Sequence, residues 1–204
     1  DTVGWAVPEQ FGALIRHLIQ EVSEFSDGRA VLSVHCHNDL GLAVANTLAA
    51  VQAGARQVEV TVNGIGERAG NAASEEVVMA LKTRGDYFGG VDCGIDATQF
   101  VETSQLVARM SGLAVQRSKA IVGANAFAHG SGIHQHGILK KRETYEIMDP
   151  RSVGWDESNL ILTKHSGKAA VENRLNELGF KLTQADIVAI AEQVKLLGGK
   201  VKYV

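Results

Sequence analysis

Apolar strand-like stretches alternate with helix-like stretches in the first half of this chain, and this alternation constrains the fold more than any other feature. Apolar residues recur at helical spacing after Pro8, and a continuous apolar run then leads to His35 and His37. In chain order, the sequence predicts a helix at 8–22, a strand buried on both faces at 30–37, a helix at 39–53, a strand at 57–62 and a helix at 74–82. Because helices and strands that alternate in this way form parallel sheets, we expect an α/β fold.

The second half of the chain has a different pattern. Asp96 can cap a helix that reaches about Met110. A stretch rich in glycine and histidine follows at 123–137, and two further helices are predicted at 166–178 and 183–197. This part is therefore expected to be a smaller, mainly helical region appended to the sheet-forming part.

Composition and charge exclude several classes of function. The 204 residues carry a net charge of −3, which provides no basic face for nucleic acid or for an anionic membrane surface. No segment approaches the ~20 uninterrupted apolar residues of a membrane span. Cys36 and Cys93 stand apart without CxxC spacing, which favours a reducing, cytoplasmic setting. Residues 1–4 are typical of the end of a strand and its turn, so we expect further sequence upstream.

Two histidines stand at the end of the first predicted strand. Side chains alternate along a strand, so His35 and His37 share one face, at the strand end where parallel α/β folds place ligands. Two imidazoles at this spacing can bind one metal ion, and they can equally be hydrogen-bonded histidines that end a strand. Asp39 can orient an imidazole or can cap the next helix, a role for which Asn38 is also suited. The spacing alone leaves these alternatives open.

A glycine-rich loop follows the second predicted strand at 63–71. It places Glu67, Arg68 and Asn71 at the same edge of the sheet as the two histidines. Its glycines allow positive φ angles and a close approach of the backbone to a ligand, although a tight turn needs the same residues. The loop lacks the terminal lysine and serine or threonine of a phosphate-binding P-loop. Together the neighbouring strand ends supply imidazoles, an amide, a carboxylate and a guanidinium.

A third polar group contains His129, His134, His136 and Tyr145. Histidine can move protons near neutral pH, and tyrosine can donate a hydrogen bond to a developing oxyanion. The same residues can also form a second metal site or a solvated surface loop. The spacing does not rank these three interpretations.

Four stretches carry a family resemblance. They are DTVG at 1–4, HCHNDLG at 35–41 with the alanine-rich run after it, NGIGERAGN at 63–71, and the stretch from KAIVGANAFAHGSGIHQHG to DPRSVG at 119–154. In this order they closely resemble the 2-isopropylmalate synthases, over nearly the whole chain. The resemblance implies condensation of acetyl-CoA with 2-oxoisovalerate to give 2-isopropylmalate and CoA, the first committed step of leucine biosynthesis.

The resemblance also implies an architecture. Residues 1–117 would be the C-terminal portion of a (β/α)8 TIM barrel whose N-terminal strands lie outside the chain, and residues 118–204 would form a mainly helical linker region. In this family the linker region reaches the barrel of a partner chain, which implies a homodimer.

A divalent metal is implied for the edge of the sheet. His35, His37 and Asn71 correspond to the family's metal-binding positions, for Mn²⁺ or Mg²⁺ with Zn²⁺ as the alternative, and His35 also corresponds to a substrate-binding position. Thr2 would lie beside the bound keto acid. Glu67 would be a catalytic residue on the acetyl-CoA side of the site.

Two catalytic residues are implied for the linker region. His134 would help to remove a methyl proton from acetyl-CoA, and Tyr145 would stabilise the charge that develops. One departure lies beside them, because His136 replaces the aspartate that the family carries in its GIHQDG stretch.

A second departure concerns completeness. The family's early arginine–aspartate–glycine motif, whose aspartate completes the metal site, is absent from the 204 residues. Because a complete barrel needs ~250 residues, we expect the chain to be an internal segment of a longer synthase and to be inactive alone. The alternatives are a citramalate or homocitrate synthase of the same family, or a non-catalytic metabolite-binding remnant. A lyase of the hydroxymethylglutaryl-CoA type should lack the GIHQ stretch at 132–135.

Overall fold

The computed structural model describes residues 1–128, 146–156, 167–177, 179–180 and 182–198. The chain divides into two compact units. The first contains residues 1–115 and 120–122, and the second contains residues 116–119 and 123–204.

The first unit has the predicted alternation of helices and strands. Its elements are α1 (Pro8–Glu21), α2 (Ser23–Ser26), β1 (Ser33–His35), α3 (Ala43–Ala53), β2 (Gln57–Glu59), α4 (Ser74–Thr83) and α5 (Phe100–Ser111), with 3-10 turns at Val62–Gly64 and Ala97–Gln99. Strands β1 and β2 pair in parallel, and His35 stands opposite Glu59. The predicted parallel α/β arrangement is therefore confirmed for this unit.

The opening residues lie alongside the end of β1. The amino group of Asp1 donates to the His35 carbonyl oxygen at 2.9 Å, and the His37 N–H donates to the Asp1 carbonyl oxygen at 3.3 Å. This exchange is the hydrogen-bond pattern of neighbouring parallel strands. The turn at 1–4, the end of β1 and the loop at 63–71 consequently meet at one edge of the sheet.

The prediction that the strand at 30–37 is buried on both faces is wrong. In β1 only Val34 is buried, while Ser33 is exposed and His35 is partly exposed. Val34 belongs to the apolar core, together with residues of α1 and α3. Because successive side chains of a strand point to opposite faces, the polar side chains of β1 lie on the face away from those helices.

Helices α1 and α3 form the main packing contact of the first unit. Phe11 and Ile15 of α1 are buried in the core, as are Ala43 and Ala50 of α3. The two helices approach closely, because a Cβ atom added at Gly12 would lie 3.4 Å from the backbone of α3. Small residues thus allow the helix layer to pack tightly beside the sheet.

Helix α3 begins four residues later than predicted. The segment before it forms a turn, in which the Gly41 N–H donates to the Asn38 carbonyl oxygen at 2.9 Å. The Asn38 side-chain oxygen accepts a hydrogen bond from the N–H of Ala43, the first residue of the helix, at 3.1 Å. Asp39 does not cap the helix and instead binds Arg68. The predicted end of the helix is correct, since Gly54 terminates α3 with a φ of 119°.

The second unit contains a small helical core in its described part. A 3-10 turn at Pro150–Val153 precedes α6 (Lys168–Glu177) and α7 (Gln184–Gly198). Val171 of α6 packs against Ala191 and Val194 of α7. The two late helices predicted from the sequence are therefore confirmed. In the described ranges, no helix combines the length and the hydropathy that crossing a membrane requires.

Candidate functional site

The two strand-end imidazoles lie against each other. His35 Nε2 and His37 Nε2 are 3.3 Å apart, and the rings meet edge to face with centroids 4.9 Å apart. Cys36, between them in sequence, is fully buried in the core on the opposite side. Burial raises the pKa of the Cys36 thiol, which keeps it protonated. The predicted shared face of the two histidines is thus what the structure shows.

The tautomer of His37 follows from its second nitrogen. Its Nδ1 lies 2.7 Å from the carbonyl oxygen of Thr2. A carbonyl oxygen can only accept a hydrogen bond, so Nδ1 must carry the proton and donate it. In the neutral ring, Nε2 then holds a lone pair that points toward His35.

His35 has a carboxylate on its far side. Its Nδ1 lies 3.7 Å from the Glu59 carboxylate, and Glu59 also accepts a hydrogen bond from the Ser33 hydroxyl at 3.1 Å. At 3.7 Å the carboxylate is beyond hydrogen-bond distance, and His35 Nδ1 is buried with no hydrogen-bond partner among the described residues. The His37 Nε2 lone pair can therefore accept a hydrogen bond from a protonated His35 Nε2, or, with the His35 proton on Nδ1, both Nε2 atoms can bind one cation.

Asn71 lies next to His37. The two residues form an isolated antiparallel bridge, so their side chains leave the backbone on the same side. The Asn71 amide nitrogen donates to the Ile65 carbonyl oxygen at 3.3 Å. Its Oδ1 atom is buried and accepts no hydrogen bond from the described residues. Gly66 is needed here, because a Cβ atom at that position would come within 2.5 Å of the Asn71 amide.

These three side chains fit a divalent metal ion. Two nitrogens 3.3 Å apart can both reach one ion at bond lengths of ~2.0–2.2 Å, and a buried amide oxygen without a hydrogen-bond donor has the chemistry of a hard ligand. Across the described ranges, no group of three or more His, Cys, Asp and Glu side chains is placed to hold a metal. Any ion at this edge of the sheet would therefore depend on the Asn71 oxygen and on further ligands.

A fork-like ion pair joins the loop at 63–71 to the end of β1. Arg68 donates from Nε to Asp39 at 2.8 Å and from Nη2 to the other oxygen of Asp39 at 3.1 Å. Its Nη2 also donates to the Thr2 carbonyl oxygen at 3.0 Å. This guanidinium holds the pKa of the Asp39 carboxyl below its usual range.

The structure places the remaining predicted site residues unequally. Thr2 is exposed, and its contact with the histidines is made by its carbonyl oxygen. The Glu67 side chain is 77% exposed and lies 3.4 Å from Arg68 Nη1. His134 and Tyr145 lie outside the described residues, as do His129 and His136.

Two contributors were missed by the sequence reasoning. The sequence predicts a strand that contains Glu59 and assigns this residue no role, although the register of β2 with β1 places it opposite His35. The sequence predicts Asn63 only as the first residue of the loop. Its backbone has a φ of 60°, and its side chain binds Ser104 of α5. A signal for Asn63 was present, since asparagine tolerates a left-handed conformation better than most residues.

Comparison with protein families gives two adjacent matches. The HMGL-like family matches residues 1–107, and the family described as homocitrate synthase post-HMGL domain-like matches residues 121–202. Curated 2-isopropylmalate synthases match the whole chain. The protein from Methylacidiphilum infernorum (isolate V4) is 63% identical, that from Nitratidesulfovibrio vulgaris (strain DSM 19637 / Miyazaki F) is 56% identical, and that from Aquifex aeolicus (strain VF5) is 55% identical.

The chain is shorter than these relatives. It spans 40% of the first synthase and 39% of each of the other two. Among solved structures, an HMG-CoA lyase from Acenitobacter baumannii in complex with coenzyme A and 3-methylmalate is 27% identical. That match has a TM-score of 0.46 and covers 59% of this chain and 39% of the lyase chain.

The family assignment rests on sequence. The HMGL-like match covers more than half of the 204 residues and includes both histidines and the loop at 63–71. The chain therefore belongs to the HMGL-like family and is similar over its whole length to 2-isopropylmalate synthases.

Proposed function

We propose that the protein carrying this chain is a 2-isopropylmalate synthase, an acyltransferase that condenses acetyl-CoA with 2-oxoisovalerate and releases CoA. One observation carries the proposal: the Nε2 atoms of His35 and His37 face each other, and Asn71, which is bridged to His37, has a buried amide oxygen that accepts no hydrogen bond from the described residues. The proposal is supported by the full-length similarity of the chain to synthases of that name. The site suits a reaction in which a carbonyl group must be polarised.

The proposed metal is Mn²⁺ or Mg²⁺, with Zn²⁺ as the alternative. His35, His37 and Asn71 would hold it, and an aspartate from another part of the whole protein would complete the site, as in the family. When bound, the ion would polarise the ketone of the keto acid and offset the negative charge that forms on its oxygen.

The chain's own residues prepare this site. The Thr2 carbonyl oxygen keeps the proton of His37 on Nδ1, and the Glu59 carboxylate lies 3.7 Å from His35 Nδ1. The His37 Nε2 atom is thereby available as a ligand without a proton having to leave first. In the proposed reaction Thr2 would lie beside the keto acid, and His35 would contact it.

Three further residues have proposed catalytic roles. Glu67 would act on the acetyl-CoA side, and its 77% exposed side chain is accessible to a large co-substrate. His134 would accept a methyl proton from acetyl-CoA, and Tyr145 would donate a hydrogen bond to the oxygen on which charge develops. The roles of His134 and Tyr145 are supported by the resemblance of the stretch at 119–154 to the family.

The proposed architecture follows the family. Residues 1–117 would form the C-terminal portion of a (β/α)8 barrel, and residues 118–204 a mainly helical linker region. The two adjacent family matches, at 1–107 and 121–202, support this division. The proposed protein is a cytoplasmic homodimer.

The test is CoA release by the whole protein with Mn²⁺ and acetyl-CoA. We expect the highest kcat/KM with 2-oxoisovalerate, and lower values with pyruvate and with 2-oxoglutarate. His37→Ala should lower kcat/KM more than ~100-fold. His17→Ala is the matched control, because His17 is exposed on α1 and should leave turnover unchanged.

Each alternative gives a different result in this assay. A preference for pyruvate would identify a citramalate synthase, and a preference for 2-oxoglutarate a homocitrate synthase. If the whole protein released no CoA from acetyl-CoA with any of the three keto acids, the proposed activity would be wrong, and a metabolite-binding role would take its place.

A further inference from the structure

We propose that Arg68 is a positioning residue for the metal site and that it acts through the backbone of Thr2. It would hold the Thr2 carbonyl oxygen where that oxygen fixes the proton of His37 on Nδ1. The inference deepens the proposed function and rests on it, because it assigns a purpose to the His37 tautomer. It concerns a residue that touches neither imidazole itself.

Arg68 and His37 share one hydrogen-bond acceptor. The Thr2 carbonyl oxygen accepts a hydrogen bond from Arg68 Nη2 at 3.0 Å and another from His37 Nδ1 at 2.7 Å. One oxygen thus joins a fixed charge to the imidazole. If this oxygen moved away, His37 would lose the partner that keeps its proton on Nδ1.

The turn at residues 1–4 has few buried side-chain contacts. Thr2 is exposed, and its neighbour Val3 is 62% exposed, so little side-chain packing holds this turn. Gly4 continues the turn with a φ of 62° and lies against the backbone of Asp39. A turn with few buried contacts keeps its place through polar contacts, and at Thr2 the Arg68 Nη2 contact adds to the hydrogen bonds that the neighbouring Asp1 makes.

The contact between Arg68 and Asp39 is two-pronged. Arg68 uses two nitrogens on the two carboxylate oxygens of Asp39, at 2.8 Å and 3.1 Å, which fixes the plane of its guanidinium. The contact joins residues 29 positions apart in sequence. With that plane fixed, Nη2 presents its remaining hydrogen to Thr2.

The backbone of Arg68 adopts a left-handed conformation. It has a φ of 56°, in the left-handed region that disfavours residues with a side chain. Gly64 and Gly70 in the same loop also have positive φ angles, so glycine would be the unstrained choice at position 68 as well. The strained arginine is therefore explained by what its side chain holds.

A second arginine in this unit provides a matched control. Arg84 forms the same two-pronged contact with Asp86, at 2.9 Å and 3.1 Å. That pair is more exposed, at 59% and 69% against 37% and 28% for Arg68 and Asp39. It joins residues two positions apart in the segment after α4, so its removal should leave the imidazoles unchanged.

The experiment uses the whole protein, labelled with ¹⁵N at histidine and freed of metal. The main variant is Arg68→Gly, because glycine accepts a φ of 56° without strain and leaves the loop able to fold. Two quantities are measured: the tautomer of His37 from its ring ¹⁵N shifts, with His37→Gln to assign the signal, and the Kd of Mn²⁺ by electron paramagnetic resonance. Arg84→Ala is measured in parallel.

We expect Arg68→Gly to produce a mixture of His37 tautomers and to raise the Kd of Mn²⁺ by ~10-fold or more. Arg68→Lys should give a smaller effect in the same direction, since one ammonium group cannot form the fork, and it serves as the test variant if the glycine variant misfolds. Arg84→Ala should match the wild type in both measurements.

Two results would overturn the inference. One is a wild-type tautomer of His37 in both folded Arg68 variants, whatever their metal affinity. The other is an equal change in Arg84→Ala, which would point to a general effect of lost charge. If the wild-type protein bound no Mn²⁺, the proposed function would fail, but the tautomer comparison in the metal-free protein would still decide the inference about Arg68.

Discussion

Asn63 and Ser104 bind each other twice. The Asn63 amide nitrogen donates to the Ser104 carbonyl oxygen at 3.0 Å, and the Ser104 hydroxyl donates back to the Asn63 side-chain oxygen. The Asn63 N–H also donates to the Glu75 carboxylate of α4 at 3.1 Å. The first residue of the loop that carries Asn71 is thus fixed to two helices.

Ser104→Ala should therefore lower the stability of the first unit. Ser104 is buried, and the variant leaves the oxygen of Asn63 without its donor, for an expected loss of ~1–2 kcal/mol in the free energy of unfolding. Ser111→Ala on the same helix is the control, because its exposed hydroxyl contacts only nearby backbone, donating to the Val107 carbonyl oxygen and accepting from the Leu113 N–H. Urea denaturation of both variants measures the difference. Equal losses for the two serines would contradict the role of the Asn63 contact.

Gly4→Ala should also destabilise the protein. A Cβ atom at this position would lie 2.6 Å from the Asp39 backbone nitrogen, at a φ of 62°. We expect a loss of ~2 kcal/mol or more, from the unfavourable φ and the clash together. Gly28 has a φ of 79° with open space around it, so Gly28→Ala measures the cost of the unfavourable φ alone, expected at ~1 kcal/mol. Urea denaturation of both variants separates the cost of the φ angle from the cost of the clash. A loss of unfolding free energy no greater for Gly4→Ala than for Gly28→Ala would rule out the clash.

Glu59→Gln should weaken metal binding without unfolding the protein. The change removes the negative charge 3.7 Å from His35 Nδ1 and should raise the Kd of Mn²⁺ by ~10-fold. Asp92→Asn is the control, since it neutralises an exposed carboxylate that pairs with Lys82 at 3.5 Å. Calorimetric titration of the whole protein with Mn²⁺ gives both values. An unchanged Kd for Glu59→Gln would exclude a part for this carboxylate in orienting His35.

Substitutions at Asn71 should show whether this residue is a metal ligand or only a structural residue. Asn71→Leu removes the buried oxygen and should raise the Kd of Mn²⁺ more than ~10-fold, whereas Asn71→Asp keeps an oxygen and adds charge, so it should retain binding. Comparable loss in both variants, with intact folding by circular dichroism, would show that the Asn71 oxygen is not a ligand.

Asp96 should make stability depend on acid pH. Hydrogen bonds from the hydroxyl and the N–H of Thr98 lower the pKa of its carboxyl. The folded pKa lies below the unfolded value of ~3.9, so the stabilisation is complete above about pH 5 and is lost as pH falls through the folded pKa. Asp96→Asn should be less stable than the wild type at pH 6, and the gap should narrow at pH 3. A gap that is constant across this range, measured in urea, would contradict the assignment.

Much of the local structure was predictable from the sequence. Pro8 marked the start of α1, Gly54 the end of α3, and Asp96 the 3-10 turn that leads into α5. These signals are local, because a proline, a glycine or a capping carboxylate acts on its own turn of backbone. The start of α3 was not predictable in this way. Asp39, a suitable cap, binds Arg68 of a distant loop instead.

The candidate site likewise has features that the sequence determined and features that depend on the tertiary structure. The alternation of side chains in a strand determined that His35 and His37 share a face, and the family motifs predicted which residues belong to the site. Only the tertiary structure decided that their Nε2 atoms lie 3.3 Å apart, that Thr2 contributes a carbonyl oxygen, and that Glu59 stands beside His35. The physical reason is that sequence periodicity fixes the direction of a side chain, whereas its partner depends on the register of strands and on loops that meet across the sheet edge.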